Sequence, residues 1–85
     1  MNQTTDKQTL IRGVLKRHGR LAKDIADLSA DADLYQAGLT SHASVNVMLA
    51  LEGTFDIEFP DHMLTRSVFA SVASIQSAVE ELAAA

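Results

Sequence analysis

The 15-residue segment from Ser41 to Phe55, SHASVNVMLALEGTF, is the strongest constraint on how this chain folds. Val47, Met48, Leu51 and Phe55 recur at helical spacing along one face, and Val45, Leu49 and Glu52 lie along a neighbouring stripe. A helix that is apolar on more than one side must either be packed from several directions or present a stripe to a partner. Periodicity alone leaves both outcomes open for the second stripe.

The rest of the chain supplies further helices to pack against it. Thr5 and Asp6 are placed to cap a first helix in which Leu10, Ile11, Val14 and Leu15 recur, with Gly19 after Lys16, Arg17 and His18 as its stop. Residues 20–40 lack a sustained period and read as a long ordered loop pinned by Leu21, Ile25, Leu28, Leu34 and Leu39. A loop of that length in a small domain signals either function or a short helix near Leu21 to Leu28. Gly53 weakens the last turn of the second helix, and Asp56-Ile57-Glu58-Phe59-Pro60 reads as extended, with Phe59 held out of the helical region by Pro60. Asp61 to Thr65 fits one short helical turn. Ser71 can cap a last helix with Val72, Ile75, Val79 and Leu82 inward and Glu80 and Glu81 outward, and Ala83 to Ala85 are expected to fray. The plan is all-α: three longer helices, one short helix and a long loop between helices one and two.

Size narrows what such a chain can do. Its 85 residues make one domain, 1–85, and a chain this short buries only about 60–65% of its unfolded surface, too little for a deep catalytic cleft. No enzyme is expected. Seven Lys and Arg against 11 Asp and Glu leave a net charge of -4, which disfavours nucleic acid as a partner. With no cysteine, thiol chemistry has to come from a cofactor. No apolar run reaches the roughly 20 residues of a membrane span, and the polar start MNQTTDKQ lacks a signal-like apolar stretch, so the expected compartment is the cytoplasm. His18, His42 and His62 are not spaced to share a metal, and none is expected. Arg12, Lys16, Arg17, Arg20 and Lys23 read as a solvated basic face near the C-terminal end of helix one.

The segment Gly38-Leu39-Thr40-Ser41-His42-Ala43-Ser44-Val45, followed by Asn46 to Pro60, resembles the acyl carrier protein family. Asp33-Leu34-Tyr35, and Phe69 leading into Ser71-Val72-Ala73-Ser74-Ile75, extend the likeness through most of the chain. The resemblance implies a four-helix carrier bundle. It also implies a covalent 4'-phosphopantetheine on Ser41, attached by a phosphopantetheinyl transferase using coenzyme A. Cargo would then be held as a thioester and presented to partner enzymes by a monomeric carrier. An unaided reading of Ser41 at a loop-to-helix junction is an N-cap.

Departures from the family pattern bear on the partners. Thr40 and His42 flank Ser41 where Asp and Leu are usual, and only Glu52 keeps its charge among positions that are commonly acidic. Electrostatic steering toward fatty-acid synthesis enzymes is therefore weakened, and a dedicated partner set is expected. GLTSHASVNVMLALE is similar to specialised bacterial carriers, including those charged with an amino acid by synthetase-like ligases, although a specialised acyl or polyketide cargo stays open. The expected docking contacts are Thr40, His42, Val45, Leu49 and Glu52, with His42 at the exit of the arm, and the expected partners include the acyl- or aminoacyl-loading ligase and downstream transferases. Two alternatives remain: an unmodified helical interaction domain using the same stripe, and a small serine hydrolase relying on Ser41 and His42. Adjacent helical positions point about 100° apart and no third residue orients His42, which weighs against the hydrolase.

Overall fold

Three amphipathic segments become three α-helices in the computed structural model, which describes residues 7–84. They are α1 (Lys7–His18), α2 (Ser41–Phe55) and α3 (Val72–Ala84), and both α2 and α3 pack on α1. The cap expected from Thr5 and Asp6 lies outside the described residues. Among the described residues there is no strand, and no helix is long and apolar enough to cross a membrane.

One apolar cluster joins the elements. Ile11, Val14 and Leu15 of α1, Val47 and Leu51 of α2, and Val72, Ile75 and Val79 of α3 are all buried in it, as spacing predicts. Leu10 departs from expectation: it stays 37% exposed, one position off the buried face. Met48, Phe55 and Leu82 pack partly buried against the edge of the cluster.

α1 ends at His18, but not through a left-handed glycine. The residue with positive φ is Arg20, at 53°, and Gly19 is required for closeness instead, since a Cβ there would sit 2.7 Å from the Leu15 carbonyl oxygen. α2 ends when Asp56 turns left-handed at φ 54°, a region that Asp tolerates better than most residues. The backbone N–H groups of Asp56 and Ile57 both reach the Glu52 carbonyl. The short helix expected over Asp61 to Thr65 is a single 3₁₀ turn, Asp61–Met63. α3 starts with Ser71 and Ser74 exchanging hydrogen bonds, each Oγ accepting from the other's backbone N–H at 3.0 Å, which satisfies two donors in the manner of a capping box. The helix continues through Ala83 and Ala84, where fraying was expected; Ala85 is outside the described residues.

The connection over residues 20–40 is an ordered strap. Ile25, Leu34 and Leu39 are buried, Leu21 and Leu28 partly so, and a 3₁₀ turn at Ile25–Asp27 realises the short helix that the leucine spacing left open. Its backbone polar groups find partners on other parts of the chain: Leu34 N–H donates to Ala70 O at 2.7 Å, and Ala30 O accepts from Ala73 N–H at 2.9 Å. Arg12 corrects the view of a solvated basic face. Its guanidinium is partly buried and donates to the carbonyls of Ile25 at 2.9 Å and Leu28 at 2.8 Å, fastening the strap to α1.

Hydrogen bonds from a charged donor contribute about 1.5–3 kcal/mol when partly shielded, and more is lost when acceptors are left stranded. Arg12→Met is expected to lower unfolding free energy in urea by about 1–3 kcal/mol. Arg17→Met, at an exposed position of the same helix, should stay within about 0.5 kcal/mol of the parent.

Candidate functional site

Ser41 opens α2, and its neighbour decides what its hydroxyl is free to do. Thr40 has extended backbone, φ -98° and ψ 164°, and its Oγ1 accepts the N–H of Ala43 at 3.0 Å. Thr40 is therefore the N-cap. Ser41 occupies the first helical position, is exposed, and its Oγ has no hydrogen-bond partner among the described residues. The N-cap reading of Ser41 is thereby displaced by one residue. Its carbonyl accepts from Ser44 Oγ at 2.7 Å, which holds the first turn closed.

The backbone N–H groups of Ser41 and His42 find no acceptor among the described residues, and the first turn contains no acidic residue. Together with the helix dipole these unpaired donors favour negative charge at this end of α2.

Beside Ser41 runs an open groove of about 410 Å³. Val45 and Met48 form the α2 wall, Leu64 and Phe69 the facing apolar wall, and Tyr35, Thr65 and Arg66 its polar rim. Phe69 is fixed by a tilted contact with Phe59, ring centroids 5.5 Å apart. Tyr35 is set by an Asx turn in which Asp33 Oδ1 accepts from its N–H at 2.9 Å. The same turn closes at Gly38, φ 115°, where a Cβ would meet the Ala22 nitrogen at 2.8 Å. Arg66 lies over the Tyr35 ring, its guanidinium carbon 3.9 Å from the centroid.

The other residues singled out by sequence divide by environment. Val45 and Leu49 are 51% and 55% exposed, so the second stripe of α2 is an open apolar surface. His42 is exposed on the same side of the helix at i, i+3 and i+7 relative to them, but does not line the groove. Thr40 is occupied as the cap. Glu52 faces inward along the chain: its Oε2 accepts the N–H of Phe59 at 2.9 Å, bracing the extended segment after α2. Sequence reasoning missed Arg66, Leu64, Thr65 and Ser44 as groove residues. Arg66 had a visible signal, being the only Lys or Arg after Lys23.

Comparison with known proteins agrees with this layout. The family model for the phosphopantetheine attachment site matches residues 8–82. An aminoacyl carrier protein of Agrobacterium fabrum strain C58 is 47% identical over 70 residues, 82% of this chain and 84% of that protein. A chain in the crystal structure of an engineered Bradyrhizobium japonicum glycine:carrier protein ligase, complexed with carrier protein from Agrobacterium tumefaciens and AMP, superposes with TM-score 0.84. It is 45% identical, over 86% of this chain and 97% of that one. A chain in the structure of the Bradyrhizobium japonicum ligase complexed with glycylated carrier protein gives TM-score 0.72 at 32% identity, over 84% of this chain and 95% of that one. The chain belongs to the phosphopantetheine attachment site family, the carrier proteins of acyl-carrier type.

Proposed function

We propose that the protein is an aminoacyl carrier protein, modified with 4'-phosphopantetheine on Ser41 and loaded with an amino acid by a dedicated ligase. The observation that carries this reading is the free hydroxyl of Ser41, exposed because Thr40 takes over the capping of α2. The group fits the residues present. An exposed Oγ offers the point of attachment, the unpaired N–H groups of the first turn suit a phosphodiester, and the adjoining groove has apolar walls without a carboxylate.

When attached, the arm supplies a terminal thiol on which cargo is held as a thioester. The chain's own residues do the rest. Thr40 and Ser44 hold the first turn of α2 so that Ser41 Oγ faces outward. Val45 and Leu49 present an apolar docking stripe, with His42 at its upper end. Carboxylates contribute little to recognition along α2, since Glu52 is its only acidic residue and is engaged with Phe59. Docking is therefore led by apolar contact, which favours a dedicated ligase over the basic surfaces of fatty-acid enzymes. The similarity to aminoacyl carrier proteins makes glycine the first amino acid to test. His42 has neither a hydrogen bond to Ser41 nor an ion pair with a carboxylate among the described residues, so the two are not arranged as base and nucleophile. The carrier acts as a monomeric single domain moving between transferase, ligase and downstream enzymes.

Incubation with coenzyme A and a phosphopantetheinyl transferase is expected to raise the intact mass by one phosphopantetheine, and Ser41→Ala to abolish the increment. No increment across several transferases would favour an unmodified interaction domain. With holo protein, glycine, ATP and a glycine:carrier protein ligase, Leu49→Asp should lower loading kcat/KM about ten-fold, or ~1.4 kcal/mol. Its thermal midpoint should be unchanged because Leu49 is more than half exposed.

A further inference from the structure

Charge is distributed very unevenly along this chain. Six of its seven Lys and Arg lie within residues 7–23, whereas ten of its 11 Asp and Glu follow residue 23; across residues 24–85 Arg66 is the one Lys or Arg. That isolated cation is not spent on a carboxylate, for it forms no ion pair among the described residues. It is exposed and carried instead on the face of Tyr35, 3.9 Å from the ring centroid. A cation–π contact of this kind uses none of the guanidinium's N–H donors, and Arg66 makes no hydrogen bond among the described residues, so they are available to donate. Both residues line the groove that also contains Ser41, and no acidic residue does.

We propose that Arg66, held on Tyr35, is the anion-binding group for the phosphodiester on Ser41 and turns the arm into the groove between Val45, Met48, Leu64 and Phe69. This rests on the reading that Ser41 carries phosphopantetheine. A guanidinium matches phosphate oxygens with two parallel donors, so the contact is directional as well as attractive. A lysine would keep the charge but neither the fork nor the flat stacking face. Because Arg66 is exposed, solvent screening keeps the bias modest, about two- to five-fold in favour of the seated arm. A bias of that size suits a carrier: the arm rests against the protein between partners, and docking of an enzyme over Val45 and Leu49 can draw it out.

The test uses holo protein made with coenzyme A and a transferase, comparing the parent with Arg66→Gln, Arg66→Glu and Arg66→Lys, and with Arg17→Gln as a charge control. Two signals are read: the phosphorus-31 resonance of the phosphodiester, and nuclear Overhauser contacts from the arm's methyl groups to Met48 and the Phe69 ring. Contacts should weaken about two- to five-fold in Arg66→Gln, further in Arg66→Glu and less in Arg66→Lys, with Arg17→Gln unchanged. The phosphorus resonance should move in the same order. Raising salt should shift the parent toward Arg66→Gln while leaving Arg66→Gln in place. Identical phosphorus shifts and contacts in the parent, Arg66→Gln and Arg66→Glu would overturn the clamp alone. Absence of the mass increment on the parent would sink the carrier assignment, and the clamp with it.

Discussion

A 21-residue connection with almost no regular structure has to be ordered before anything else in this protein can be placed. Ordering each backbone residue costs about 1–2 kcal/mol of conformational entropy, and every buried peptide group also needs a partner. The strap meets both demands with a few long-range fastenings. Arg12 reaches it from α1, Leu34 N–H donates to Ala70 O just before α3, Ala30 O accepts from Ala73 N–H in the first turn of α3, and Leu34 itself is fully buried. Full burial of a leucine contributes about 1.5–3 kcal/mol, so single anchors offset the ordering of only a residue or two. The strap therefore depends on several anchors acting together.

The site inherits its geometry from that strap. Its last residues deliver Thr40 in extended backbone, which lets Thr40 rather than Ser41 serve as the cap of α2. Earlier in the strap, the Asp33 turn sets Tyr35, and Leu34 N–H bonded to Ala70 O ties this turn to the segment that carries Arg66 and Phe69. The loop between α1 and α2 and the loop between α2 and α3 thus meet beside the free hydroxyl. A change in either alters the groove without touching Ser41.

Division of labour along α2 follows from burial. One face, Ala43, Val47 and Leu51, is committed to the core, while Val45 and Leu49 remain in solvent on a domain too small to cover them. An apolar stripe with little charge favours recognition by shape over long-range steering. Glu52 shows why a charge on that helix cannot be assumed to face a partner: its carboxylate is turned toward the chain's own Phe59 N–H.

Much of the fold was legible because helical periodicity and end signals are local properties of the chain. The core positions Ile11, Val14, Leu15, Val47, Leu51, Val72, Ile75 and Val79, the boundaries of α2, and the Ser71 start of α3 follow from residues within one or two turns of each other. Exposure was not local, which is why the second stripe stayed undecided and Leu10 was misplaced. The role of Arg12 and the groove around Arg66 depend on residues 13 to 31 positions apart meeting in space. By itself, then, the sequence determined the helices and the motif around Ser41, since spacing and capping chemistry act between near neighbours. Only the tertiary structure decided which hydroxyl is free and which cation lines the same groove, since both depend on how a long aperiodic segment is pinned across the helices.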